Sequence, residues 1–398
     1  MKLNLYELCG TKQNKGSLKV ILNGNLKRKI GLATYELKRR KLKLKYLAYK
    51  VGIDYTTLWK HLNNNDVIPL ILLRELEGLT HVSFQEEVTH FYLPHSKYKI
   101  KAPKKLNETM AKLIGCIIAD GHLKTRESNR GKHYVLVIRE GHKSNAEAAI
   151  EWFRDVFEVN LNLNKGKNHY YIYISNKVIH NYFTKIIGLP EGKKAGIIST
   201  PDHICSSSAL VKKAYLQGLF MFDGGVDYRT GYVNYISKSK KLIEEMVLLL
   251  NGIGLEPDYI SLLPDRYGRY KLRFRKRKKL EKCLNLFQKE SEKWWRLNEH
   301  LYGLEGITKD LKMLVKSFDI YYPKVRSNVI TFSDVINAIY LLDKKANMIN
   351  LSKQLKRNKT VIYEFLKQLE YWEIITSHRV ALKKHYCFKK ILKIPRRH

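Results

Sequence analysis

Leu113-Ile114-Gly115-Cys116-Ile117-Ile118-Ala119-Asp120-Gly121 and Leu216-Gln217-Gly218-Leu219-Phe220-Met221-Phe222-Asp223-Gly224 are two copies of one pattern, an apolar helix that stops at Asp-Gly. Met once, such an ending is ordinary, because glycine readily supplies a left-handed C-cap and aspartate tolerates the last turn. Two copies at the head of the same succession of elements are a duplication, and the duplication decides the fold. After each stop come a turn, a strand (residues 133–139 and 232–237), a Lys-Ser pair (Lys143-Ser144 and Lys238-Ser239) and an amphipathic helix (146–157 and 242–250). A further strand follows at 170–175, which holds the alternating run Tyr171-Ile172-Tyr173-Ile174, and at 270–275, before another helix closes each unit. With weak strands near Asn160 and Tyr259 the order is αββαββα in both copies. The expectation is an α+β chain with two pseudo-twofold repeats, 106–206 and 207–303, and small, mainly helical modules at 1–105 and 304–398.

Composition narrows the partner. At 398 residues the chain has room for two to four domains of common size. Lys and Arg number 74 against 37 for Asp and Glu, a formal net charge of +37. An excess of that size, spread along the whole sequence, calls for a polyanionic partner. Nucleic acid fits better than a membrane, since no apolar stretch approaches the length needed to span a bilayer. Residues 1–20 are polar and mixed, unlike a secretory signal, so a cytoplasmic location is expected. The five cysteines, Cys9, Cys116, Cys205, Cys283 and Cys387, lie far apart without zinc or redox spacing, and read as free, mostly buried thiols.

The paired segments resemble the two signature helices of the LAGLIDADG family, found in single-chain homing endonucleases and intein nuclease domains. The resemblance covers roughly residues 106–303. It implies that the two helices pack along a pseudo-twofold axis, that two curved antiparallel sheets form a saddle over DNA, and that each helix end brings one acidic residue to a scissile phosphate. The implied activity is site-specific double-strand cleavage at a long asymmetric target by a monomer, with Mg2+ held by Asp120 and Asp223. The family role is the copying of an intron or similar element into an unoccupied allele. Physical chemistry supports these roles. Gly115 and Ala119 share one helix face, where small residues allow close approach of two backbones. A helix C-terminus carries partial negative charge and unpaired carbonyl oxygens, so a carboxylate placed there makes a site for a hard cation.

The chain departs from the family pattern at Ile118 and Met221, where an acidic residue is common, and at Phe222, where a small one is usual. The resemblance also implies basic residues near each scissile phosphate, and Lys194 and Lys293 match those places. Two other readings share the fold: a DNA-binding regulator on a LAGLIDADG scaffold, and an intron RNA maturase. Two retained aspartates favour catalysis, because a binder has no use for carboxylates pressed against phosphate. The ends, Met1 and Arg396-Arg397-His398, lack splicing residues and speak against an intein origin.

Three further stretches are candidates for DNA contact. In residues 270–275, Tyr-Lys-Leu-Arg-Phe-Arg, a period of two puts Lys271, Arg273 and Arg275 on one face and Leu272 and Phe274 on the other. Such a basic face suits the major groove, or else is a solvated sheet surface. Residues 44–58 have helix-turn-helix spacing, with Leu47, Ala48, Val51, Ile53 and Leu58 as core, Gly52 at the turn, and Tyr55, Thr56, Trp59 and Lys60 presented outward. His61 stands there at a position that is usually apolar. Residues 350–375 read as a second helix pair with Lys359, Thr360 and Tyr363 near the start of its recognition helix, and 374–387 as a β-wing. Gly303, Gly306 and Pro323 suit a boundary before this module.

Overall fold

Short strands and helices build the first hundred residues. The computed structural model describes residues 2–9, 18–63, 66–92, 99–129, 131–227, 230–289, 291–302, 330–342, 346–371, 375–380 and 383–388. They begin with β1 (Lys19–Ile21), α1 (Gly24–Arg39), α2 (Leu44–Val51), α3 (Tyr55–Asn63), β2 (Val67–Pro69), α4 (Leu70–Thr80), β3 (His90–Tyr92) and β4 (Lys99–Lys101). The Asn23 side chain accepts the Leu26 N–H at 2.8 Å and starts α1, whose Leu26, Ile30, Ala33 and Leu37 form one buried stripe. Gly52, at φ 80°, takes the left-handed conformation that ends α2. The expected helix pair is therefore present, with Leu47, Ala48, Val51 and Leu58 buried and Ile53 only half-buried. The module is not purely helical, however. β1 to β4 form an antiparallel sheet in the order β2-β1-β3-β4, from strands of three residues that are too short to show alternation in the sequence.

His61 is 5% exposed, with its Nδ1 3.3 Å from the Val67 carbonyl oxygen. Burial holds the imidazole below its ordinary value. An unfolded chain takes up the proton at about pH 6.5 while the folded module resists it, so stability is full above that pH and declines below it. Hydrogen-exchange protection across residues 55–63, measured relative to the intrinsic rate at each pH, should therefore fall as the pH drops below about 6.5. His61→Leu should flatten that response; an equally steep response in the variant would remove His61 as its cause.

Next come α5 (Glu108–Asp120), β5 (Gly121–Ser128), β6 (Gly131–Glu140), α6 (Lys143–Phe157), β7 (Leu163–Lys165), β8 (Tyr170–Ser175), α7 (Lys177–Asn181), α8 (Asp202–Cys205) and α9 (Ala209–Phe222). The first sheet has the order β5-β6-β8-β7 and is antiparallel throughout. Its inward face is the row Leu123, Leu136 and Ile174, beside Ile138 and Ile172, all buried. One expectation fails at the end of α5. Gly121 is extended (φ −77°, ψ 149°) and is no left-handed cap, and β5 starts on it directly, without a turn. Glycine is needed for space, since a Cβ there would stand 2.7 Å from the Ile117 Cα and carbonyl oxygen.

The second copy supplies β9 (Gly225–Val226), β10 (Val233–Ser237), α10 (Lys240–Gly252), β11 (Tyr259–Ile260), β12 (Tyr270–Phe274), α11 (Arg277–Cys283) and α12 (Glu292–Tyr302), with sheet order β11-β12-β10-β9. The chain divides into two compact units, Met1–Asp223 with Ser237–Ile253, and Gly224–Ile236 with Gly254–His398. The helices α9 and α10 thus belong to the first unit, and most of the second sheet to the other. The second unit also contains α13 (Phe332–Leu342), α14 (Met348–Leu355), α15 (Lys359–Tyr371) and the antiparallel hairpin β13 (Ile375–Val380) and β14 (Lys383–Phe388). Phe332, Ile336, Leu351, Phe365 and Leu369 are central to the core of this module, where the Phe332 and Phe365 rings meet edge-on at 4.7 Å. Residues 303–329 of the expected boundary and the basic end, 389–398, lie outside the described residues. Of the thiols, Cys116 and Cys283 are buried as expected, while Cys9 is half-buried and Cys205 exposed.

Candidate active site

Two glycines bring the backbones of α5 and α9 into contact within the first unit. A Cβ on Gly115 would lie 2.8 Å from the Leu219 nitrogen and nearer still to the Tyr215 carbonyl oxygen. On Gly218 it would lie 2.9 Å from the Lys112 carbonyl carbon and nearer still to its oxygen. These contacts exchange when the copies are exchanged, Gly115 on Tyr215 for Gly218 on Lys112, so the two helices meet with pseudo-twofold symmetry. The small partner of Gly115 is thus Gly218 on the facing helix; Ala119 is only half-buried. Phe222 does not enter this seam. Its ring packs against Trp152 of α6, with centroids 6.2 Å apart, and the seam stays tight despite its bulk.

Each glycine stands five positions before its aspartate, so Asp120 and Asp223 occupy equivalent helix ends. Both carboxylates act on the same two groups, the Cys116 thiol and the Lys194 ammonium, which places the two ends side by side. Asp120 is half-buried and Asp223 exposed. Burial pushes the Cys116 thiol up, with Asp120, Glu140 and Asp223 adding to it, so this cysteine is inert filler beneath the site.

Lys194 reaches the end of α5. Its Nζ donates to the carbonyl oxygens of Ile117, Ile118 (2.6 Å) and Ala119 (3.3 Å), the last turn of that helix. An ammonium has three N–H bonds, and all three meet the negative end of the helix. Burial pulls this lysine down to about 8, against the upward effect of Asp223 and Asp120. Lys293 lies half-buried on α12, in the second unit.

Asn145, which no sequence motif singles out, performs a related task at the end of α9. It is 2% exposed and donates through Nδ2 to the Met221 carbonyl oxygen at 3.0 Å, while Glu140 accepts from the same Nδ2 at 3.3 Å. Its signal is the third place of the Lys-Ser-Asn sequence that opens α6, but a single Asn in a helical first turn reads as an ordinary start.

Oxygen donors at two adjoining helix ends, the Asp120 and Asp223 carboxylates, suit a hard divalent cation. Among the described residues no group of three or more His, Cys, Asp or Glu side chains gathers, here or elsewhere, so the protein's own donors at these ends are the two carboxylates.

On the first sheet, the register puts His122, Val137 and Tyr173 in one row, Arg139 beside Tyr171, and Lys124 and Arg126 on the same side. The sequence hides this polar and aromatic face, because β5 reads there as a turn. On the second sheet Leu272 and Phe274 are fully buried, and Lys271 and Arg273 take the opposite face as expected. Arg275 lies one residue beyond the end of β12 rather than within it. Arg273 donates to the Asn234 side chain at 2.5 Å and lies over the Tyr232 ring, and the Arg275 guanidinium lies 5.3 Å from the Tyr259 ring centre. In the flanking modules Tyr55, Thr56, Trp59 and Lys60 of α3 and Lys359, Thr360 and Tyr363 of α15 are exposed. Among the described residues no helix is long and apolar enough to cross a membrane.

The sequence is 28% identical over 157 residues to an A-type ATP synthase subunit from Pyrococcus abyssi, covering 39% of this chain and 15% of that protein. It is 29% identical over 192 residues to the isomerizing glutamine–fructose-6-phosphate aminotransferase of Methanocaldococcus jannaschii, covering 48% of this chain and 17% of that one. The chain thus spans about one sixth of the length of these curated relatives. The crystal structure of I-DmoI in complex with DNA and Mn aligns at 22% identity and a TM-score of 0.37, over 46% of this chain and 97% of that one. Within the chain, residues 210–285, from α9 through the second sheet, match the family model of the LAGLIDADG-like domain.

Proposed function

We propose that the protein is a site-specific, metal-dependent DNA endonuclease that hydrolyses one phosphodiester bond in each strand of a duplex. The observation that carries this reading is the pair Asp120 and Asp223 at adjoining ends of two glycine-crossed helices. Each would hold a divalent cation, Mg2+ by the chemistry of its oxygen donors, which when bound supplies an activated water and neutralises charge on the phosphate. Lys194 fixes the last turn of α5 and brings positive charge to the same place, and Lys293 is proposed for the corresponding duty in the second repeat. Asn145 positions the end of α9 and is not itself a catalytic residue.

The two sheets present different side chains, so the half-sites they meet differ, and the target is a long asymmetric duplex bound by one copy of the chain. Lys271, Arg273 and Arg275 grip or read one half-site. Tyr55, Thr56, Trp59 and Lys60, with Lys359, Thr360 and Tyr363, extend the contact, and the net charge of +37 supports such a partner. The named activities of the two curated relatives differ from each other, which supports reading the shared segment as a module apart from both. The protein is proposed to work in the cytoplasm, without a membrane.

Incubating the protein with a randomised duplex library and Mg2+, and sequencing the ends produced, tests the reading. A single long site cut with staggered 3′ overhangs is expected, whereas a footprint without ends would indicate a DNA-binding regulator. In the same assay Arg273→Ala should cost about 1–3 kcal/mol in affinity and relax preference at one or two positions. Unchanged footprints and preferences in single alanine variants of Lys271, Arg273 and Arg275 would take this face out of the interface.

A further inference from the structure

The turn between β11 and β12 ends in an apolar tip for which the site above has no use. Leu262 is 83% exposed and Leu263 79%, with Pro264 next in the chain. On a loose loop two such leucines would be unremarkable, but this loop is tied at both sides of them. Before the tip, the Ser261 N–H donates to the Lys271 carbonyl oxygen at 2.8 Å, and the Ser261 hydroxyl oxygen accepts the Lys271 N–H at 2.7 Å. After it, the Asp265 carbonyl oxygen accepts the Gly268 N–H at 2.8 Å, with Gly268 at φ +71°. The Asp265 carboxylate accepts the backbone N–H groups of Tyr267 (2.9 Å) and Arg269 (3.0 Å), and the Arg269 guanidinium through Nε (2.9 Å) and Nη2 (2.7 Å). The guanidiniums of Arg266 and Arg269 lie 4.8 and 4.7 Å from the centre of the Tyr267 ring.

The fold thus holds two leucines in water on a fixed support, with Arg266 and Arg269 beside them and Lys271 and Arg273 further along the same hairpin. Single exposed apolar side chains are ordinary, but adjacent ones held together on an ordered turn, rimmed by polar groups, form a contiguous patch of the kind that marks an interaction surface. A second copy of the chain is a poor occupant, because the cations around the tip would face a chain of net charge +37. A polyanion with an apolar interior meets both requirements. We propose that Leu262 and Leu263 form a wedge that enters between two base pairs of the duplex bound along β12 and kinks it, with Arg266 and Arg269 on the flanking phosphates. Burying two leucines is comparable in free energy to unstacking one base step, so one opened step is expected. This inference rests on the DNA-binding reading given above.

The test uses the full chain, without metal, on its selected duplex, with 2-aminopurine placed at successive steps and fluorophores at the two ends. Wild-type binding should raise the 2-aminopurine signal several-fold at one step and shorten the end-to-end distance. The double variant Leu262→Ala, Leu263→Ala should lose both effects and bind about tenfold more weakly, while its melting temperature stays the same. Asp265→Ala, which keeps both leucines and frees their support, should lower the signal in part. A footprint with no local signal in the wild type, or the same signal and bend in the double variant, overturns the wedge but not the DNA reading. No footprint on any duplex overturns both. A wild-type dimer in sedimentation that the double variant loses, or binding to anionic vesicles that needs the two leucines, assigns the tip to another partner and also overturns the wedge.

Discussion

Asp120→Asn and Asp223→Asn are each expected to abolish double-strand cleavage while duplex affinity and the melting transition stay close to wild type. The amide keeps the size of the side chain and its place at the helix end, but gives up the charge that would hold a divalent cation. Metal-assisted hydrolysis draws several kcal/mol of transition-state stabilisation from that cation, so on the order of 10³-fold or more in rate should go with it. On the proposal that each aspartate serves one strand, a single variant should retain at most slow nicking of supercoiled plasmid, and the double variant should do neither. Either single variant linearising plasmid at the wild-type rate would show that its aspartate holds no metal. Loss of binding together with cutting would assign the residue to structure instead.

Gly218→Ala should destabilise the first unit, although helix propensity alone argues the reverse. Replacing glycine with alanine inside a helix gains about 0.5–1 kcal/mol. Against this, the new methyl would meet the backbone carbonyl of Lys112, and backbone cannot rotate away as a side chain would. Overpacking costs roughly 1–3 kcal/mol in general, and a rigid backbone obstacle puts this case at or above the upper limit. The net expectation is a loss of about 2 kcal/mol and a melting temperature lower by roughly 4–8 °C. Gly115→Ala should behave alike. Gly31→Ala in α1 is the control, because nothing lies within 4 Å of a Cβ there and the same substitution should be neutral or stabilising. Equal melting shifts for Gly31→Ala and Gly218→Ala would mean that the helix seam is looser than these contacts require.

Much of this architecture is legible in the sequence because the duplicated segment carries helix and strand periods long enough to recognise. The helices α5, α6, α9 and α10 and the strands β6, β8, β10 and β12 lie within a few residues of their expected places. Elements that escape notice are of two kinds. The strands β1 to β4 have three residues each, which is too few for an alternating pattern, and β1 pairs with partners distant in the chain. The strand β5 is long, but its sequence, Gly121 to Ser128, is mostly polar and alternates only at its start, so it reads as a turn. At the site, the two aspartates are visible because they repeat. Lys194 needs the family resemblance to be singled out among 74 basic residues, and its three hydrogen bonds are what separate it from a solvated lysine. Asn145 has no repeat and no motif. Only the packing of α6 against the motif helices shows its task.

The glycine seam also constrains when the protein can fold during synthesis. The face of α5 around Gly115 is completed by α9, about a hundred positions later in the chain, and the same compact unit takes in Ser237–Ile253. A growing chain that has emerged only through the first repeat has made the helix and its sheet but lacks the surface of α9 that covers Gly115. Closing a loop of that length carries an entropic cost of about 4 kcal/mol beyond a constant, and no contact across the seam offsets it until the second helix arrives. The first half therefore waits on the ribosome with an apolar stripe open to solvent, which makes the interval between Asp120 and Ile253 the stretch of synthesis in which this chain most needs protection from aggregation.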